Sequence, residues 1–267
     1  MTPTSRGFAG TACLLFLAST VVADETPSEQ TPKVAVVIDD LGHSLKQGER
    51  AVQMVGPVAL SILPNTPHGT RLAEMAHAAG KEVLLHLPME SAGSNDGLGE
   101  GALRVDSSRG EFARAIAHSM AAVPHVRGIN NHMGSLLTRH PGAMGWLMEE
   151  MQARGQLYFL DSFTTHRSVG LIVAREQGIP ALKRDVFLDR IATPDAIKRE
   201  FERLIATARQ RGFAVAIGHP HPATLTFLEQ RLPGLVDQGV ELVSVESLLP
   251  YQAQQQVDDW YDYSSTE

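Results

Sequence analysis

The apolar positions of this chain fall into short runs separated by longer amphipathic stretches. In the first run, Lys33-Val-Ala-Val-Val-Ile-Asp-Asp-Leu-Gly42, five of the six residues from Val34 to Asp39 are apolar. Such a run predicts a strand covered on both faces, as in a parallel sheet wrapped by helices. Ser44 to Val55 then has helical composition, with Ser44 as its cap. Pro57 to Leu63 reads as a second strand and Lys81 to Leu87 as a third. Between them a helix from Arg71 to Ala79 is opened by Pro67 and stopped at Gly80. Residues 91–107 break the rhythm with Gly93, Gly97, Gly99 and Gly101. They predict a long polar loop at a strand's C-terminal end, of the kind that is functional or mobile.

Ser108-Arg-Gly-Glu111 has the capping-box spacing and predicts a helix to about Val123. Val126 to Asn131 is the fourth strand, Pro141 to Arg154 a helix, and Leu157 to Leu160 the fifth strand. A helix from Ser168 to Gln177 and a weaker strand from Ala181 to Phe187 follow. Pro194 to Arg211 is the longest helix, with Thr193 as cap and Gly212 as stop. Phe213 to Ile217 is the next strand, and a helix interrupted by Pro233 leads to the last, Val240 to Val245. Seven or eight strands, each followed by a helix, predict an α/β fold. A (β/α) barrel fits this rhythm best, and an open doubly wound sheet is the alternative. A nucleotide-binding version is disfavoured, because no Gly-rich phosphate loop follows the first strand.

The two ends of the chain differ from this pattern. Residues 1–23 carry Arg6, an apolar stretch from Phe8 to Val22 and Val21-Val-Ala23, and read as a signal peptide cut at Ala23. An uncleaved anchor is the alternative, although the apolar run is short for a membrane span. Cleavage removes Cys13, the single cysteine, and leaves an exported, periplasmic protein with no transmembrane span. Residues 24–32 read as a flexible leader, 33–249 as the barrel, and 250–267 as a disordered acidic and aromatic tail. The tail is a candidate docking segment for an envelope protein partner. The net charge of -7 and the lack of any Lys/Arg-rich run argue against nucleic acid.

Candidate chemistry clusters at the predicted strand ends. Asp39 and Asp40 close the first strand, His68 lies beyond the second, and His86 and Glu90 lie at the end of the third. Asn131 and His132 follow from the fourth, Asp161 from the fifth, and His219 from the strand after the long helix. In an α/β barrel these positions share one face, the one that carries active sites. Two adjacent carboxylates stay ionised together only with a cation or donors between them, although Asp40 could instead cap the helix after Gly42. Imidazole and carboxylate together suit Zn²⁺ and similar divalent ions. His77, His118, His125 and His140 are taken as structural.

Five stretches carry a resemblance: Ile38-Asp-Asp-Leu-Gly42, Gly80-Lys-Glu-Val-Leu-Leu-His-Leu-Pro-Met-Glu90, Asn130-Asn-His-Met-Gly134, Asp161-Ser-Phe-Thr164 and Ile217-Gly-His-Pro220. Together they resemble the divergent polysaccharide deacetylases, exported bacterial relatives of the metal-dependent deacetylases of chitin and peptidoglycan. The resemblance implies a distorted (β/α) barrel with seven or eight strands. It implies Asp39 as general base, Asp40 and His86 as ligands of one divalent ion, expected to be Zn²⁺, and His219 as general acid. The main family's second metal histidine falls on Glu90, and its Arg-Pro segment is replaced by Asn130-Asn-His132. The third ligand is therefore His132, with Glu90 as the second candidate. Asp161, Glu90, His68 and Asn131 are expected around the pocket, with Asp161 orienting a ligand or His219. The expected activity is removal of N-acetyl groups from an acetylated envelope glycan or oligosaccharide. The alternative is an inactive glycan- or partner-binding protein that keeps the pocket.

Overall fold

Strands and helices alternate along the chain because the apolar runs are too short and too continuous for helices, while the stretches between them place apolar residues on one face only. The computed structural model describes residues 1–2 and 31–252. The expected signal peptide beyond residue 2, the leader up to residue 30 and the tail beyond residue 252 lie outside the described residues. The strands are β1 (Lys33–Leu41), β2 (Ala59–Ile62), β3 (Val83–Met89), β4 (Val126–Met133), β5 (Tyr158–Asp161), β6 (Ala181–Lys183), β7 (Val186–Phe187), β8 (Phe213–Gly218) and β9 (Glu241–Leu242). The α-helices are α1 (Leu45–Gln53), α2 (Gly69–Ala78), α3 (Arg109–Ala122), α4 (Pro141–Arg154), α5 (Gly170–Glu176), α6 (Pro194–Arg211) and α7 (Pro222–Arg231).

Eight strands lie on one path in the order β6-β5-β4-β3-β2-β1-β8-β7, all pairs parallel, and β9 adds to β1 from outside it. The sheet curls into a half-barrel with helices around it. Alternation along each strand sorts its side chains between two cores. Val34, Val36 and Ile38 of β1 join the cluster shared with the helices, as do Leu85 and Leu87 of β3 and Phe159 of β5. Ala35, Val37, Ala59, Leu84, Leu160, Val215 and Ile217 meet one another inside the curl. Near the C-terminal ends of the strands this inner face turns polar, with Asp39, Ser61, His86 and Asn130 all buried.

Two expectations change. The single weak strand over 181–187 is two short strands at opposite edges of the sheet. Arg184 N–H still donates to Asp161 on the β5 side (2.9 Å), whereas Asp185 N–H already donates to Val215 on the β8 side (2.9 Å). The covalent chain thus bridges the two sheet edges. Arg184 fastens the crossing by donating to the carbonyls of Ser162 and Phe163, both at 2.7 Å, and stacking 3.8 Å from the Phe187 ring centre. Thr193 occupies the N-cap position of α6 but makes no side-chain capping bond. Ser44 and Ser108 do cap α1 and α3, and the Ser108–Glu111 capping box is complete.

Candidate functional site

Asp39 follows the alternation of β1 and points into the curl, where it is 2% exposed. By the same alternation Asp40 should face the helices with Ile38. It does not, because its backbone takes φ +56° and the β1–β2 pairing shifts register between Ile38 and Leu41. A left-handed non-glycine residue is a local strain of the sort held at functional sites. Here it swings the second carboxylate to the same side as the first. Gly42 completes the turn at φ +129°, and a Cβ there would sit 2.0 Å from Thr66 Oγ1. The last residue of the Asp-Asp-Leu-Gly motif is therefore glycine for steric reasons.

Three lone-pair atoms converge above the strand ends. Asp40 Oδ1 lies 3.1 Å from His86 Nε2 and 2.9 Å from His132 Nδ1, and the two ring nitrogens are 3.2 Å apart. Asp40 Oδ1 is buried and meets the directional requirements of a hydrogen bond with neither ring. Ligand atoms about 2.0–2.1 Å from a tetrahedral ion stand about 3.3 Å from one another. The triangle already has nearly those edges, and an orphaned carboxylate oxygen beside two imidazole nitrogens is the donor set of a divalent cation site. The residues fit the ion that the resemblance implies.

Charge is tuned around this triangle. Burial alone would raise the Asp40 carboxyl, but protons on the adjacent His132 and His86, in the positions an ion would take, outweigh it and hold that group far below the usual carboxylate range. Asp39 is pushed up by burial, against the opposing charges of His86 and His219 and the bond from Asn130. A bound cation acts in the opposite sense and favours its ionised form. On the far side of Asp40, His219 Nε2 lies 3.9 Å from Asp40 Oδ2, and His219 Nδ1 is 2.8 Å from Asp189 Oδ1. Burial lowers the His219 pKa, yet Asp189, Asp39 and Asp40 together carry it up to about 9. Asp189 Oδ2 accepts from the His219 backbone N–H and the Thr224 hydroxyl, both at 2.7 Å. With both its oxygens so engaged, Asp189 serves as the partner of His219 rather than as part of a second ion site with His221.

With this geometry in view, comparison with known proteins is informative. A family model described as divergent polysaccharide deacetylase matches residues 36–249. The chain belongs to this family. It is 38% identical over 249 residues to the uncharacterized protein YibQ of Escherichia coli (strain K12), covering 93% of this chain and 75% of that one. Its fold resembles the crystal structure of the uncharacterized protein ATU2773 from Agrobacterium tumefaciens C58. The TM-score there is 0.78 at 24% identity, over 83% of this chain and 91% of that one. It also resembles a mutant of the Bacillus anthracis protein BA3943, a CE4 family pseudoenzyme with restored enzymatic activity. That match has a TM-score of 0.51 at 14% identity, over 83% of this chain and 68% of that one. The curled parallel sheet is thus a CE4 deacetylase-like (β/α) barrel.

Within this divergent polysaccharide deacetylase framework the other expected pocket residues take different places. Glu90 Oε2 accepts from Val105 N–H at 2.9 Å and pins the 91–107 loop, so it does not join the triangle. Asp161 lies on the outward face of β5 with Phe159. Its oxygens accept from Phe163 N–H (2.8 Å) and the Ser168 hydroxyl (2.6 Å), and they organise its own loop. The carboxylate that orients His219 is Asp189, not Asp161. Asn131 also faces outward, donating to the Met133 carbonyl and accepting from Ser162 N–H. His68 is the N-cap residue of α2, without a side-chain capping bond. Two residues escaped the sequence reading. Asp189 follows the segment read as a weak strand, and its place at a strand end was the available signal. Asn130 lies two residues before His132 and so on the same inner face, a parity that could have marked it.

Proposed function

We propose that this protein is a metal-dependent hydrolase that removes N-acetyl groups from a glycan of the bacterial cell envelope. The observation that carries this reading is the triangle of Asp40, His86 and His132, flanked by Asp39 on one side and the Asp189–His219 pair on the other. Zn²⁺ held by the triangle would supply Lewis acidity toward a water molecule and the acetamide oxygen. Asp39 is suited to act as general base: Oδ1 is occupied by the Asn130 amide at 2.9 Å, while Oδ2 faces the cluster 3.6 Å from His86 Nε2. His219 is aligned by Asp189, whose carboxylate at 2.8 Å favours its protonated form, and is suited to act as general acid. Water oxygen bonds to the acetyl carbon and its proton goes to Asp39. The carbon–nitrogen bond then breaks as His219 gives its proton to the amine, yielding acetate and a free amino sugar.

The same reading takes the chain through export, with the mature protein starting near Asp24 and acting in the periplasm. No helix among the described residues is long and apolar enough to cross a membrane. Only two Trp and four Tyr occur in the chain, so large stacking platforms are scarce and a short glycan is the favoured substrate. The test is acetate release by zinc-loaded protein from acetylated chito-oligomers and from peptidoglycan fragments. Asp39→Asn should keep its zinc and lose roughly 10²–10⁴-fold in rate. Zinc-loaded wild type that releases acetate from neither substrate overturns the reading. A second reading, glycan binding without turnover, is favoured by one observation: the group bonded to Asp39 is a neutral amide, where the main deacetylase family is expected to present an arginine. Saturable glycan binding with no acetate release would select it.

A further inference from the structure

Asn130 is wholly buried and spends its entire hydrogen-bonding capacity on the site. Its Oδ1 faces the Ser61 hydroxyl at 2.5 Å and His86 Nδ1 at 3.0 Å. Its Nδ2 donates to Asp39 Oδ1 at 2.9 Å and to Ser162 Oγ at 3.3 Å. A primary amide has two acceptor sites and two donor hydrogens, and all four are used. This leaves no freedom to flip. The reversed amide would aim a carbonyl lone pair at the Asp39 carboxylate and N–H hydrogens at His86. With the carboxylate accepting from Nδ2, Oδ1 must accept from His86, so His86 carries a proton on Nδ1. Its Nε2 lone pair then points at Asp40 and His132.

We infer that Asn130 is a positioning residue that sets the tautomer of His86 and the orientation of Asp39 through one fully bonded amide. This inference rests on the proposed hydrolase reading and extends it to how the ligand and base are held. An acceptor for the N–H of the unliganded ring nitrogen is the usual means by which an imidazole is oriented toward a metal. Donor and acceptor chemistry distinguishes the amide from a guanidinium, which has donors only and could not accept from His86 while donating to Asp39. Ser61, on the neighbouring inner position of β2, supplies the donor that satisfies the second acceptor site of the amide.

The test is the imidazole ¹H–¹⁵N spectrum of histidine-labelled protein, read beside zinc affinity by calorimetry. Wild type should show a slowly exchanging Nδ1–H, assigned to His86 by its loss in His86→Gln. Asn130→Asp keeps an acceptor for that proton and should retain the signal. Asn130→Ala should lose it, with zinc affinity falling roughly 10–100-fold. If Asn130→Ala melts at a lower temperature yet keeps both the protected proton and the affinity, Asn130 is merely structural and the inference is overturned. If Asn130→Ala does not fold, wild type and Asn130→Asp decide it: an Nε2–H on His86 in either overturns the inference. Should wild type take up no zinc, the hydrolase reading falls by itself. A protected Nδ1–H in that metal-free protein would still uphold the role of Asn130, and its absence would overturn it.

Discussion

Both ends of the barrel hold a half-buried carboxylate, and their surroundings are opposite. At the lower end Glu82 accepts from the Tyr158 hydroxyl at 2.8 Å, Val245 N–H at 2.9 Å and Glu246 N–H at 3.0 Å. These bonds tie β3, β5 and the chain's return into one plug, with Arg127 on Glu246 at its rim. At the upper end Asp40 Oδ1 is left without a directional partner between two imidazoles. The lower carboxylate is saturated with donors; the upper one faces lone pairs. Satisfaction marks a group that holds a fold together, whereas an orphaned acceptor beside other acceptors marks a place for a cation. Hollow volume does not separate the two ends: a cavity of about 580 Å³ lined by Arg127, Tyr158, Ile179 and Glu246 lies at the lower, structural end.

The sharpest break of this comparison is His86→Ala. Zinc affinity should fall by more than about 100-fold, since removing a ligand costs more than removing its orienting partner. Calorimetry decides it, and stoichiometric zinc of unchanged affinity would remove His86 from the ligand set. His132→Ala set against Glu90→Ala then tests the third ligand, with loss expected only for His132.

Glu82→Ala should do the reverse. Three donors lose their acceptor, so the domain should lose about 2–3 kcal/mol while zinc affinity stays unchanged. For a domain of this size that is a fall of roughly 5–10 °C in Tm. The effect should also depend on pH. Burial holds the Glu82 carboxyl above the ordinary value of 4.5, against the three hydrogen bonds. Its contribution is therefore fully present below that value and is lost as pH rises through the raised folded-state value. The gap in Tm between wild type and Glu82→Ala should narrow over that rise, and a gap that widens would contradict it.

The smallest effects belong to Asp161→Ala and Glu90→Ala. Each loosens a loop and should cost about 1–2 kcal/mol, with zinc affinity within about threefold of wild type as the side chains touch no ligand. A tenfold loss of zinc in Asp161→Ala would return that residue to the site.

The β1 run, the capping box at Ser108, Pro141 and Pro194 at helix starts, and Gly212 at a helix stop were legible in the sequence, because each acts on its immediate neighbours. The alternation of strand and helix was legible for the same reason, and with it the barrel. Alternation within β5 was equally local, and Phe159 inside the helix-side core marks Asp161 as outward. That parity is the physical ground on which Asp161 gives way to Asp189.

What the sequence by itself determined is the order of elements and the collection of carboxylates and imidazoles at their C-terminal ends. What only the tertiary structure decided is which of these groups meet. Asp40 joins Asp39 on one side only because the backbone turns left-handed and the sheet register slips there. The strand over 181–187 divides because its two halves find different edges of a curled sheet. Asn130 reaches Asp39 across 91 residues of chain. Such partnerships depend on the stagger and curl of strands far apart in sequence, and no local pattern carries that information.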